Sequence, residues 1–343
     1  MDKYVIAVDA MGGDNAPEAV IDGCAQALSA MKNVSIRLFG QRERVEPLLS
    51  RLSGARDRVE LIDCPEVITM HDDPSTATRR KKDSSMAVAL TMLKNGEGDA
   101  VVSAGSTGAL LTGATLTVKR IKGIRRAAMA PVLPNNDKGM LLIDCGANAE
   151  CTPEYLLQFA YMGSFYAKRL LGIEKPRVGL LNIGAEETKG GALQRNTHAL
   201  LTEAGKAGRI DFVGNVEAST MFSGGVDVIV ADGFSGNIVL KTAEGVAKWL
   251  FTEIKGVLTQ SVKNKLAAAV IKDDVKGIKK RLDPNEVGGT ALLGISKPVI
   301  KAHGSSDATA IFAAVRQAMS FAGSGLIEDI TANIDYMRIS EEN

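Results

Sequence analysis

The sequence predicts an α/β protein with a mostly parallel sheet and helices on both of its faces. Two observations carry that prediction. Short runs rich in Val, Ile and Leu recur along the chain, separated by longer segments whose apolar residues fall at helical spacing. Parallel strands need long crossover connections, and helices that cross over cover both faces of a sheet. A third observation is the placement of glycine. The chain has 35 glycines in 343 residues, against only 10 prolines and 4% aromatic residues, and many of the glycines follow a strand run directly.

In chain order, Tyr4–Val8 reads as the first buried strand and Pro17–Met31 as the first helix, with Asn15 then Pro17 at its start. Val34–Phe39 and Val59–Ile62 are the next strands. Met86–Lys94 is helical, with Ser84 or Ser85 as its cap. Ala100–Ser103 is a strand and Gly108–Val118 a helix. Met140–Ile143 precedes the helix Pro153–Leu171, where Thr152 and Pro153 form a cap-then-proline start. Val178–Asn182, the helix Gly191–Glu203 and the strand Val226–Ala231 follow, and a last strand leads into Ala302. No tandem repeat or low-complexity tether breaks this order, so any domain division lies within the sheet system.

Bulk composition excludes several classes. With 41 Lys+Arg against 40 Asp+Glu, the net charge is +1, without the basic excess of a dedicated nucleic-acid protein. The apolar stretch before Asp9 is too short for a signal peptide, and no run approaches the ~18 apolar residues of a membrane span. A cytoplasmic protein, attached to a membrane surface at most, is expected. Cys24, Cys64, Cys145 and Cys151 form no CxxC pair, and His71, His198 and His303 are scattered, so no metal site is expected.

The strand ends carry the functional signal. Six strands run into small, polar, glycine-bearing loops: 9–15, 103–108, 144–148, 182–190, 231–237 and 302–307. In an open parallel sheet such loops lie beyond the carboxyl ends of the strands, where ligands bind. Glycine lets backbone amides approach a ligand, and the helix N-termini that follow offer unpaired N–H groups to an anion. The loops therefore suit phosphate or a phosphate-bearing ligand, through Asp9, Gly12, Gly13, Ser103, Gly105, Ser106, Thr107, Asn182, Asp232, Ser235, Gly236 and Ser305, with Ser306 as a further hydroxyl donor and Asn215 joining from outside them. Within that set, Asp9 and Asp232 are expected to order the loops. No GxGxxG follows a strand, and GxxxxGK[ST] and the GxSxG elbow are absent, which argues against an NAD site, a P-loop and serine catalysis.

The segments VDAMGGDNAPEAV, SAGSTGALL, LLIDCGAN, LNIGAEETKG, VGNVEAS, DGFSGNIVLKTAEG and AHGSSDA, in that order from Val5 to about Ala322, resemble the bacterial acyl-acyl carrier protein–phosphate acyltransferases of phospholipid synthesis. The resemblance implies transfer of a fatty acyl group from acyl carrier protein to inorganic phosphate, without a cofactor. The acyl phosphate formed would then serve a membrane-bound glycerol-3-phosphate acyltransferase. It also implies a three-layer αβα fold of the isocitrate/isopropylmalate dehydrogenase and phosphotransacetylase type, and a homodimer. By that analogy, residues 1–125 with 288–343 form one subdomain and 126–287 the other.

Residue chemistry fits a direct attack of phosphate on a thioester, which asks for positioning and for stabilisation of the oxyanion. Lys189, in a glycine-rich loop, is a candidate cation for phosphate or oxyanion. Asn148, Asn182, Asn215 and Asn237 each follow a strand and can donate an amide N–H, with Asn237 and Asn148 preferred. His303 is a candidate proton carrier or phosphate donor. Cys145 raises an acyl-cysteine alternative, but its sequence neighbours include no base or cation to activate it.

Residues 255–281, within a basic amphipathic segment of about 250–284, hold eight Lys or Arg against two Asp. Either this segment packs on the core or on a dimer partner, or its apolar side, with Leu258, Val262, Leu266, Val270 and Ile271, rests in an anionic membrane interface. Arg79, Arg80, Lys81, Lys82, Arg125 and Arg126 form basic clusters, either solvated faces or a docking site for acidic acyl carrier protein. Two rival readings are an NAD-dependent dehydrogenase of the related fold and a non-enzymatic peripheral membrane scaffold.

Overall fold

Burial of the Val, Ile and Leu runs on both faces decides the architecture, because a strand without a polar face must be covered on each side. In the computed structural model, which describes residues 3–282 and 288–338, these runs build two sheets. The first has the order β3-β2-β1-β4-β12-β11-β5, from β1 (Tyr4–Asp9), β2 (Val34–Gly40), β3 (Val59–Asp63), β4 (Ala100–Ser103), β5 (Ala128–Ala130), β11 (Thr290–Leu293) and β12 (Val299–Lys301). From β3 to β12 its pairings are parallel, and β11 pairs antiparallel with both β12 and β5. The second sheet has the order β6-β7-β10-β8-β9, from β6 (Val132–Leu133), β7 (Met140–Ile143), β8 (Arg177–Asn182), β9 (Asp211–Glu217) and β10 (Val228–Val230). Only its β6–β7 pair is antiparallel.

The α/β class and the mostly parallel pairing follow the sequence prediction, and the six polar loops divide between two sheets. Those after β1, β4 and β12 belong to the first sheet, and those after β7, β8 and β10 to the second. Where the sheets meet, the Cys145 N–H donates to the Met129 carbonyl and the Leu142 N–H to the Pro131 carbonyl. One hydrophobic cluster runs through both, including Ile6, Val8 and Val102 on one side and Leu141, Val178 and Val228 on the other.

The helices α1 (Glu18–Ala30), α2 (Arg42–Val45), α3 (Ala77–Arg80), α4 (Ser85–Asn95), α5 (Thr107–Gly113), α6 (Pro153–Leu170) and α7 (Ala192–Lys206) include every helix expected from sequence. Ser84 caps α4 by accepting from the Ala87 N–H, and Thr152 caps α6 by accepting from the Tyr155 N–H. Asn15 does not cap α1. Its Nδ2 reaches instead to the carbonyls of Ser305 and Ser306, both at 3.1 Å, and Pro17 holds the N-cap position without a side-chain cap bond.

Helices α8 (Gly233–Thr259), α9 (Val262–Val270) and α10 (Lys272–Leu282) form an arm, followed by α11 (Ala308–Ala322) and α12 (Leu326–Ala332). In α8 only Gly233 and Gly236 are buried, and α9 has no buried residue. Positions 283–287, where the expected basic segment and the expected second subdomain end, lie outside the described residues, as do 1–2 and 339–343 at the expected outer limits of the first. Among the described residues, no single helix is long and apolar enough to cross a membrane.

Candidate active site

Short polar side chains at the strand ends bond backbone groups of adjacent loops, and this fixes the site's frame. Asp9, buried at the end of β1, accepts from the Met11 N–H at 3.1 Å and from Ser103 Oγ at 2.6 Å. Ser103 Oγ in turn accepts from the Gly105 N–H at 3.1 Å. A Cβ on Gly12 would stand 2.6 Å from both Asp9 Oδ2 and the Gly105 nitrogen, so only glycine lets the β1 and β4 loops meet. Gly13 leads into Asp14, whose N–H donates to the Gly304 carbonyl at 2.7 Å and ties in the β12 loop. Ser106 caps α5 through the Ala109 N–H.

The second sheet is organised by Asp144, a buried carboxylate that the sequence reading did not single out. It accepts from the N–H groups of Met129, Cys145, Ala147 and Asn148 and from Asn148 Nδ2. Burial raises its pKa, against the opposing pull of those donors. Asp232 accepts from the Ser235 N–H and Oγ, both at 2.8 Å, and so caps α8. A Cβ on Gly236 would overlap the Asp144 carbonyl, so the first turn of α8 sits directly on the β7 loop.

Between the sheets lies a cleft of about 380 Å³. Thr107, Lys301, His303 and Ser306 line it from the first sheet's loops, and Cys145, Gly146, Asn237, Lys241 and Glu244 from the second. Lys241 and Glu244 form an ion pair at 2.8 Å along α8. His303 Nδ1 accepts from the Ser305 N–H at 3.3 Å and lies 2.9 Å from Ser305 Oγ. That leaves Nε2–H as the donor of the neutral ring. Burial first, and then the charge of Lys241, lower the pKa of His303, so the ring is uncharged at neutral pH. The Cys145 thiol is pushed far up, by burial first and then by Asp144 and Glu244, and it stays protonated.

A second cavity of about 400 Å³ lies on the far side of α8's first turn, lined by Asn182, Ile183, Gly190, Gln194, Ser235 and Ile238 among others. Ser235 and Asn237, two residues apart, thus face different cavities.

Of the residues selected from sequence, Asn237, His303 and Thr107 meet in the cleft. Asn148 does not line it, since its Nδ2 donates to the Ala127 carbonyl at 2.8 Å and to Asp144 at 3.0 Å. Asn182 Nδ2 donates to the Lys189 carbonyl and Asn215 Nδ2 to the Glu186 carbonyl, so both shape the loop that carries Lys189. Lys189 lines neither cavity, and its Nζ lies 3.9 Å from Glu186 on the surface. Among the basic clusters, Arg79, Arg80 and Lys82 are exposed, and Lys81 pairs with Asp72 at 2.7 Å. Arg125 pairs with Glu154, and Arg126 stacks over Tyr155.

Sequence reasoning missed Lys301, Lys241 and Glu244. A lysine in the last position of an apolar strand run, VIK at 299–301, was the available signal for the first. Lys241 and Glu244 sit three apart on one helix face, beside Asn237 by helical spacing.

The fold and site define a two-sheet α/β protein with an anion-suited cleft between strand-end loops. The family described as "Fatty acid synthesis protein" matches residues 4–329, and the chain belongs to that family. It is 47% identical over 335 residues to a phosphate acyltransferase from Lysinibacillus sphaericus, covering 97% of this chain and 99% of the relative. The fold resembles a phosphotransacetylase from Streptococcus pyogenes, with a TM-score of 0.63 and 19% identity, over 95% of this chain and 94% of that one. It also resembles a phosphotransacetylase from Staphylococcus aureus, with a TM-score of 0.60 and 16% identity over the same shares.

Proposed function

We propose that the protein transfers a fatty acyl group to inorganic phosphate and so makes an acyl phosphate for phospholipid synthesis. The near-full-length kinship with phosphate acyltransferases carries this reading, and the same kinship favours neither the dehydrogenase nor the scaffold alternative. The acyl donor is acyl carrier protein, drawn to the exposed charges of Arg79, Arg80, Lys82 and Arg126, with Lys81 and Arg125 at their margins.

A phosphate oxygen attacks the thioester carbonyl, the C–O bond forms, the C–S bond breaks, and the departing thiolate takes up the proton that hydrogen phosphate gives up. Asn237, at the cleft wall, donates its amide to the developing oxyanion. His303 donates Nε2–H to phosphate or to the departing sulfur. Lys189 joins from the β8 loop by leaving its long surface pair with Glu186, and Asn148 acts through the loop it fixes. Gly12, Gly13, Gly105 and Gly236 bring backbone close to the ligand, while Asp9, Ser103, Ser106, Asp232, Ser235 and Ser305 hold the loops. The protonated Cys145 supports direct attack over an acyl-cysteine route.

Two subdomains, 1–125 with 288–343 and 126–287, accompany this reading. Sheet membership supports them except at β5, which lies within 126–287 but pairs with β11 in the first sheet. A homodimer at the inner face of the membrane, delivering product to a glycerol-3-phosphate acyltransferase, is the setting we propose. The exposed arm supports it, with Val262, Leu266, Val270 and Ile271 open to solvent and Leu258 half-buried.

The test is direct. The protein is incubated with long-chain acyl carrier protein and phosphate, and acyl phosphate and free thiol are measured. Equal amounts of both are expected. Reduction of NAD, or no chemistry, would overturn the reading.

A further inference from the structure

Lys301 and Ser306 share an unusual condition. The Lys301 side chain is set between β4 and β12 at the cleft floor, with 7% of its surface exposed. Its Nζ donates to the carbonyls of Ala104, at 3.4 Å, and Ala302. No carboxylate pairs with it among the described residues, although Asp9 and Asp14 act on it from a distance. Ser306, 4% exposed, lines the same cleft, and its Oγ has no hydrogen-bond partner among the described residues. A buried cation without a counter-charge and a buried hydroxyl without a partner are each costly, unless a ligand completes them.

We infer that Lys301 Nζ and Ser306 Oγ form the seat of the phosphate substrate, an anion site at the cleft floor between the β4 and β12 loops. An ammonium has three donors, and two are directed to carbonyls, which leaves one for the ligand. Ser306 Oγ–H supplies a neutral donor. The inference deepens the acyl-transfer reading and rests on it for the identity of the anion. It places phosphate below Asn237 and His303, so that the acyl donor enters from the open side of the cleft.

The experiment titrates inorganic phosphate into the full chain by calorimetry, with no acyl donor present, for the wild type, Lys301→Met and Ser306→Ala. Affinity falls about tenfold or more in Lys301→Met and about threefold to tenfold in Ser306→Ala, in line with the loss of one charged and one neutral hydrogen bond. In turnover the KM for phosphate rises by the same factors, while the KM for acyl carrier protein stays unchanged. Phosphate affinity within twofold of wild type in either folded variant would overturn the site. If Lys301→Met does not fold, Ser306→Ala decides alone, because its hydroxyl bonds nothing in the free protein and its loss leaves the fold intact. Wild-type phosphate binding without acyl phosphate formation would sink the acyl-transfer reading and leave the site standing. Acyl phosphate formation with unchanged phosphate constants in the variants would do the reverse.

Discussion

A lysine at the end of an inner strand loses most of its water, and its charged form loses most by that. Burial lowers Lys301 to about 8, partly offset by Asp9 and Asp14 and reinforced by Lys241. The sign of the pH effect follows. The ammonium is present below about 8 and is lost as pH rises through that value, whereas inorganic phosphate is already mostly a dianion there. Of the other groups that act on Lys301 or line the cleft with it, His303 is lowered and already neutral over this range. Phosphate affinity should therefore hold near pH 7 and weaken above pH 8, approaching about a tenfold loss per pH unit. Lys301→Met should flatten that profile, and calorimetry at pH 7, 8 and 9 checks it. Cys145→Ala should keep most of the turnover, since a thiol held protonated cannot be the nucleophile. Collapse of kcat in a folded variant would reinstate the acyl-enzyme route. Asn237 and His303 were legible in the sequence because each stands in a glycine-rich loop after a strand. Lys301 was not, because a lysine closing a strand is ordinary until its burial is known.

The N-terminal turn of α8 joins capping, close packing and the cleft in five residues. Asp232 caps it, Gly236 rests on the Asp144 carbonyl, and Asn237 faces the cleft. Gly236→Ala must push α8 away from the β7 loop. A loss of about 1–3 kcal/mol in stability is expected from such overpacking, with a fall in kcat because Asn237 moves as well. Thermal unfolding and turnover measure the two effects. Unaltered kcat in a destabilised variant would remove Asn237 from the reaction. The apolar strand runs and the cap residues Ser84 and Thr152 were readable because local chemistry fixes them. Strand β9, with sequence DFVGNVE, was not, since it lies at a sheet edge and mixes Asp, Gly and Asn with its apolar residues. Strands β5 and β6, three and two residues long, carry too short a pattern to see.

At the scale of the molecule, two features share the chain. The sheets face each other across the cleft, and the α8–α9–α10 arm carries large apolar side chains left exposed among the described residues. Leu266 is 68% exposed and Val270 85%, on a segment whose Lys263, Lys265, Lys272 and Lys276 are also exposed. Apolar residues flanked by lysines favour an anionic interface. Leu266→Glu and Val270→Glu are each expected to release the protein from anionic liposomes several-fold, without loss of acyl phosphate formation in solution. Unchanged co-sedimentation would assign the arm to contacts between copies of the chain.

Local pattern alone determined the α/β class, the six polar loops and the low-aromatic, glycine-rich strand ends, because each depends on neighbours within a few residues. Motif order along the whole chain determined the family. Tertiary structure decided which side chains meet. It divided the loops between two sheets, turned Asn148, Asn182 and Asn215 to loop-holding bonds, and brought Lys301 and Ser306 to one cleft. Those outcomes depend on burial and on contacts between residues far apart in sequence, such as Asp9 with Ser103 and Gly236 with Asp144, and a one-dimensional pattern carries neither.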